Sequence, residues 1–482
     1  MPLLQAQTGN GDFNLLKIPP LLTGEQRSGL RHFDLTARAG QTEFFSGIDT
    51  PTMGINGTYL GPTLRLRNGD EVALNVLNRL SGPTTLHWHG LHVPAVADGG
   101  PHQVVRSGQD WRAQFTVQQP AGTFWYHSHL NGSTGEQVYR GLAGMILLED
   151  ETTANSGLPN EYGVDDIPLI VQDRRFNRDG SLSYVRNHMD VMMGVTGDTV
   201  LVNGTYNPLF TPRTTKVRFR LLNAANARTF SFAFDDSRVF DLISVDGGRL
   251  EQPEPLQQIV LAPSERADIV VDFSNGSRSN LISQPLPADS PWLPRGMMRN
   301  MFSMNNQSMQ ILAIEPQSAL QNSAALPAML GTVPHVDAGS ADRTRQFTLT
   351  MMMGMGMGRG GGRGGQGMAG GNFFINNTRM DMDVINHRIP VGSTEVWRIT
   401  NDSMMMHPFH VHHNQFSIIS RNNRPAPLWE RALKDTVKIA PGETVEIAMR
   451  FENFADPENP YMYHCHILEH EDNGMMGQFV VE

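Results

Sequence analysis

The residues with the most chemistry in this chain lie at its end: Tyr463-His464-Cys465-His466-Ile467-Leu468-Glu469-His470-Glu471-Asp472-Asn473-Gly474-Met475. Cys465 is the single cysteine among 482 residues, so an internal disulfide is excluded and a metal-ligand or catalytic thiolate is the expected role. Histidine flanks it on both sides, His470 follows five residues on, and Met475 ten. On an extended strand alternate side chains face opposite ways, so His464 and His466 point together while Cys465 points to the other face. One tripeptide can therefore serve two metal sites. A thiolate, two imidazoles and a weak axial thioether form the ligand set of a blue-copper electron-transfer centre. Cys465, His470 and Met475 supply three of the four, and the fourth comes from elsewhere in the chain.

Four His-x-His pairs stand in the sequence, at 87/89, 127/129, 410/412 and 464/466. With 17 histidines in 482 residues, chance gives about 0.6 such pairs, so four carry meaning. Residues two apart on a strand sit roughly 6.6 Å apart on one face, a span suited to holding neighbouring metal ions. Eight imidazoles can hold three coppers. Two pairs come from the first third of the chain and two from the last, while the middle holds only His188. The simplest geometry closes the first unit against the third, with the metal cluster between them.

The elements that must position these groups are strands. From Pro62 to Asn78, Leu64 and Leu66 alternate with arginines, Asn68-Gly69 makes a hairpin turn, and Val72, Leu74 and Val76 alternate again. Long amphipathic helical patterns are scarce, which is the pattern of antiparallel β-sandwiches. One strand is written three times, as Val72 to Asn78, Val217 to Asn223 and Val396 to Asn401, with the closing asparagines 145 and 178 residues apart. Three tandem sandwiches are expected, at 1–155, 156–330 and 331–482, the middle one a spacer without metal ligands. Ser318 to Ala341, rich in Ala, Ser, Gly and Pro, reads as the second linker.

A second internal comparison is sharper. Phe124-Trp125-Tyr126-His127-Ser128-His129 parallels Tyr461-Met462-Tyr463-His464-Cys465-His466, with serine in the place of cysteine. Leu86-His87-Trp88-His89-Gly90 parallels Phe409-His410-Val411-His412-His413, and Thr84 matches His407. The first unit keeps the paired histidines and lacks the thiolate centre.

On these motifs the chain resembles the three-domain multicopper oxidases of the laccase type, and among them the bacterial cuprous oxidases of copper tolerance. The resemblance covers essentially the whole chain. It implies an all-β fold of three tandem cupredoxin-like Greek-key sandwiches and four copper ions. It implies a type 1 copper on His407, Cys465 and His470 with Met475 axial, a type 2 copper on His87 and His410, and a type 3 pair on His89, His127, His129, His412, His464 and His466. Electrons taken one at a time from Cu(I), or from phenols and other small aromatic reductants, would pass through Cys465 to the cluster, where O2 becomes water. Asp98 and Glu471 match the acidic residues given proton-delivery roles in that family. His92, His102 and His413 are expected to support ligands or lie at the surface.

The 27 methionines gather at 297–309, 351–357 and 404–406. Thioethers are soft ligands suited to Cu(I). A glycine-rich stretch such as 351–371 cannot pack a core, so metal contact is the favoured reading there, whereas core filling and metal contact are even for 297–309. Met405 and Asp402 are candidates for a substrate-copper site. Two features depart from the cuprous oxidases: Ser403 stands where they carry an acid, and the insert here is shorter, lacks His and Asp, and runs into Arg359 and Arg363.

A formal charge of −10 argues against nucleic acid as a partner. No run approaches the roughly 18–20 apolar residues of a membrane span. Met1-Pro2-Leu3-Leu4-Gln5 lacks an export pattern, so the protein is either cytoplasmic or its signal has been replaced; the resemblance favours a periplasmic or extracellular monomer. The alternatives are a general laccase without a cuprous role, and a non-enzymatic copper-binding or structural protein of the same fold. The last expects missing ligands, and none is missing.

Overall fold

The computed structural model describes residues 13–153, 156–296, 306–334, 336–352, 373–430 and 432–482. The chain folds as three pairs of β-sheets in tandem. In the first pair a five-stranded sheet runs Leu21–Leu22, Thr63–Arg67, Ala143–Glu149, Gly122–His127, His87–His89, and packs on a sheet built around Leu30–Phe45 and Glu71–Asn78. The third pair repeats this plan, its ligand-bearing sheet running His387–Ile389, Met476–Val481, Asp456–Cys465, His407–Val411, Thr436–Ile439. The middle pair has seven and six strands, and its smaller sheet takes in the N-terminal strand Asn14–Leu15 beside Pro208–Phe210. Each pair encloses its own apolar core.

The threefold strand repeat has a structural reason. Glu71–Asn78, Lys216–Asn223 and Thr394–Asn401 are interior strands of their sheets, and each ends on a fully buried asparagine. In all three the side-chain amide donates to two main-chain carbonyls, those of Gly82 and Val105, of Arg228 and Leu261, and of Met405 and Ile439. Its oxygen accepts the backbone N–H two residues on. A buried loop's polar groups must be paired, and one asparagine pairs three of them at each sandwich corner.

Strands Gly122–His127 and Ala143–Glu149 are buried almost throughout, without polar alternation. The cause is that both faces are covered: one by the first core, the other by Ile170, Leu222 and Ala224 of the middle unit, which pack on Trp125, Met145 and Leu147. The first and third units meet directly as well. Asp472 accepts the backbone N–H groups of Thr134 and Gly135 at 2.9 and 2.8 Å, and Tyr461 donates to the Val93 carbonyl at 2.9 Å. Among the described residues no helix is long and apolar enough to cross a membrane.

Candidate metal centre

Strand register sets the site. His87 lies opposite His127 and Trp125 opposite His89 in the first unit, and His410 lies opposite His464 and Phe409 opposite Cys465 in the third. Each sheet thus places two histidine pairs side by side on one face, and the two faces meet. All eight imidazoles are buried, at 1 % exposure or less. They form two groups of three with ligand atoms in mutual reach, His89/His127/His466 and His129/His412/His464, and His87 and His410 come together with His89. Both trihistidine groups mix rings from the first and third units.

The outer nitrogens are tied down. His87 Nδ1 donates to the Asp98 carbonyl (2.9 Å), His410 Nδ1 to the Asp435 carbonyl (2.7 Å), His127 Nδ1 to the Ser128 carbonyl (2.8 Å), and His412 Nδ1 to the Asp98 carboxylate (2.8 Å). The Glu471 carboxylate lies 3.3 Å from His129 Nδ1 and 3.1 Å from His464 Nδ1. Such partners fix each ring's tautomer and aim its other nitrogen inward.

The inward atoms fit a metal. Nε2 of His87, Nε2 of His410 and both nitrogens of His466 are buried without a hydrogen-bond partner. His464 Nε2 lies 3.2 Å from His129 Nε2 and 3.3 Å from His412 Nε2, close to the spacing of about 3.3 Å set by a tetrahedral metal with bonds of about 2.0 Å. Three lone pairs facing one point would repel without a cation between them. Burial also keeps the rings neutral, as ligation requires: His89, His127, His410, His412 and His466 lie well below the ordinary imidazole range, and His129 falls to about 4. Burial opposes ionisation of Glu471, yet His129 and His464 beside it carry its pKa below the carboxylate range.

The thiolate group stands on the opposite face of the same strand. His407 Nδ1 is 3.3 Å and His470 Nδ1 3.7 Å from Cys465 Sγ, all three residues fully buried. His470 Nε2 donates to the Met192 carbonyl at 3.2 Å, and His407 Nε2 to Ser403 Oγ at 2.8 Å. The Ser403 hydrogen is directed to Asn401 Oδ1 or the Met405 carbonyl, which leaves its oxygen free to accept. Both Nδ1 lone pairs therefore face sulfur. Burial pushes the Cys465 thiol up and His407 down to about 3, so the thiol loses its proton only where a cation bound to the sulfur would displace it. Met475 is fully buried in the same core, and Phe373 stacks on His470 at 4.1 Å.

Among the other residues singled out from sequence, Asp98 sits between two rings of opposite units, and Glu471 does the same. Met405 is buried in the core beneath the thiolate group, whereas Asp402 is exposed, so the two do not share a surface. The exposed methionine of that trio is Met404. His92 and His413 meet between the first and third units with ring centres 4.6 Å apart and planes tilted by 35°, and His102 reaches Gln478 at 2.9 Å; none belongs to a ligand group. Met297, Met298, Met301, Met304 and the stretch from Met353 through 371 lie outside the described residues; Met309 opens a strand of the middle unit. Sequence reasoning missed Met192, Asp435 and Arg266, and it named Ser403 without its bond to His407. The first three act across units or through a backbone atom, and neither leaves a spacing signal.

Buried imidazoles shared by two cupredoxin sandwiches, with a cysteine between histidines, define a copper-binding redox protein. The chain belongs to the multicopper oxidase family: models of that description match residues 36–153, 177–284 and 361–482. It is 35% identical to the multicopper oxidase mco of Staphylococcus haemolyticus over 95% of this chain and 90% of that one. It is 34% identical to the cell division protein FtsP of Dickeya dadantii over 100% of this chain and 95% of that one. Its fold matches a bacterial laccase-like multicopper oxidase, CueO of Ochrobactrum sp., at a TM-score of 0.84 and 34% identity, covering 97% and 100% of the two chains. Copper is thus the metal of this family, and the protein is an oxidoreductase of laccase-like kin.

Proposed function

We propose that the protein oxidises Cu(I), and phenols or other small aromatic reductants, one electron at a time, and reduces O2 to water. The observation that carries this is the covalent continuity of Cys465 with His464 and His466. Its sulfur faces His407 and His470, while its two neighbours each enter a different trihistidine group. In this reading His407, Cys465, His470 and Met475 would hold the type 1 copper; His87 and His410 would hold the type 2 ion; and His89, His127, His129, His412, His464 and His466 would hold the type 3 pair. Bound there, the four coppers supply one-electron acceptance at the thiolate and four-electron reduction at the cluster.

The chain's own residues do the rest. The backbone of Cys465 is the electron path, one residue step in each direction. The third sandwich's core covers the Cys465 face of that strand, and histidines of the first unit cover the face that carries His464 and His466. Forming water from O2 takes four protons, and two carboxylates reach the cluster. Asp98 holds His412 through Oδ2, and its Oδ1 is buried without a hydrogen-bond partner. Glu471 spans His129 and His464. Both are suited to carry protons inward.

Methionine supports a cuprous substrate. Met192, Met405 and Met475 share the core around the thiolate, Met193 and Met351 pack against it, and Met404 and Met352 are exposed. A role in copper tolerance and export to the periplasm follow from this reading. Steady-state oxidation of Cu(I) and of a phenol, with and without residues 351–371, tests it: loss of the segment is expected to lower Cu(I) turnover more than phenol turnover, and unchanged Cu(I) turnover refutes the cuprous assignment.

The relatives named cell division protein favour a second reading, a structural protein that keeps this fold. It predicts a colourless protein without oxygen uptake. Copper analysis and the blue absorption of a copper thiolate separate the two.

A further inference from the structure

Two aspartates perform mirrored tasks at the cluster. Asp98, in the first unit, binds His412 of the third through its carboxylate and its own unit's His87 through its carbonyl. Asp435, in the third unit, binds His89 of the first through its carboxylate (3.1 Å) and its own unit's His410 through its carbonyl. The rings so held stack across the interface, His87 on His412 at 3.9 Å and His89 on His410 at 3.7 Å.

The mirror fails in two respects. His87, His127, His129, His410, His412 and His464 present Nδ1 outward and Nε2 inward, but His89 is reversed. Its Nε2 donates outward to Asp435 Oδ1, with Thr436 Oγ1 at 3.3 Å, and its Nδ1 faces His127 Nε2 at 3.4 Å. Asp435 also carries a bidentate guanidinium, Arg266 Nη1 to Oδ1 at 2.7 Å and Nη2 to Oδ2 at 2.5 Å. Asp98 pairs with no arginine or lysine among the described residues.

Arg266 belongs to the middle unit, which has no member in the histidine and cysteine clusters among the described residues. Two more of its N–H groups donate to the carbonyls of Thr123 in the first unit and Ser264 in its own, so one fully buried fork touches all three units. Space for the pair comes from Gly90, directly after the first histidine pair: a Cβ there would collide with the Asp435 carboxylate. The matching position in the third unit is His413, which takes φ +74° with a side chain.

We infer that Arg266 is a positioning residue for the trinuclear site. By fixing the plane of the Asp435 carboxylate it holds His89 in its reversed orientation, so the middle unit governs copper retention in a cluster it does not ligate. The inference rests on the copper reading above. An ammonium in place of the fork can hold one oxygen but not the plane, and an amide at 435 turns one acceptor into a donor facing either His89 or Arg266.

The test compares copper-loaded wild type with Arg266→Met, Arg266→Lys, Asp435→Asn and Asp246→Asn during titration with a copper chelator. Copper per chain, the EPR-detectable fraction of copper, and blue absorbance are read together. Arg266→Met and Asp435→Asn are expected to lose cluster copper at about 10–100-fold lower chelator concentration with blue absorbance per chain retained, and Arg266→Lys to fall between them and wild type. Asp246, 3.7 Å from Arg266 and 2.7 Å from Lys434, is the interface control. Asp246→Asn disturbs the same buried ion network without touching Asp435, so it is expected to keep its cluster copper.

Wild-type chelator resistance in Asp435→Asn, or equal copper loss in Asp246→Asn, overturns the inference while leaving the copper reading intact. Should Arg266→Met fail to fold, the near-isosteric Asp435→Asn decides. A wild type that binds no copper at all overturns both.

Discussion

The first and third units carry the same corner twice, and only one copy suits a metal. In the third, Cys465, His407 and His470 face one another with two imidazole lone pairs and a sulfur that no protein donor fully satisfies. In the first, Ser128 and Thr84 occupy the matching places, and both hydroxyls donate to Gln137 Oε1, at 2.6 and 2.7 Å, while its amide donates to the Pro83 carbonyl. That corner is closed by its own hydrogen bonds. The backbone is shared, so metal competence depends on whether the side chains use up one another's bonding capacity. Copper needs donors that do not.

Making the third corner resemble the first is the hardest test. Cys465→Ser is expected to abolish the blue absorption and bring reductant-driven O2 uptake to background, with one copper fewer per chain by elemental analysis. Retained colour would break the comparison outright. A milder change acts one atom further out. Ser403→Ala removes the acceptor of His407 Nε2–H, and turnover should fall about 10-fold with the blue band kept, as seen in steady-state and absorption measurements.

Stability sharpens the contrast. Glu469 is buried on the third corner's helix, and burial raises its pKa to about 7 against the donors of Val195, Asn226 and Tyr184. The folded state therefore binds the extra proton between pH 4.5 and 7, so the stabilisation it gives is complete below the unfolded value and is lost as pH rises to 7. In copper-free protein, wild type should lose about 3 kcal/mol relative to Glu469→Gln across that window in urea titrations. In the first corner, Gln137→Ala strands two buried hydroxyls. It should cost about 1–3 kcal/mol in the same assay and leave blue absorbance per chain unchanged.

Much of the histidine arrangement was legible because the pairs obey strand periodicity. His-x-His on one face and cysteine on the other follow from alternation alone, and each of the eight paired histidines lies in a buried cluster of three. The three asparagine-ended strands were visible as a repeat, though not their task, since the carbonyls they bind lie up to 38 residues away. Asp402 and Met405 are close in sequence, yet the bend at 403–405 sends one side chain to solvent and the other to the core.

Residue order and type alone determined the fold class, the four histidine pairs and their division between the two end units, because alternation and repetition are local properties of a chain. Only the tertiary structure decided which nitrogen of each ring faces inward. That choice belongs to outer partners such as Asp98, Asp435, Ser403 and the Met192 carbonyl, several of them from other units. It also showed that the middle sandwich, which has no member in the histidine and cysteine clusters among the described residues, reaches both centres through Met192 and Arg266. A hydrogen bond between residues far apart in sequence leaves no period to read, so such tuning is found only once the chain is folded.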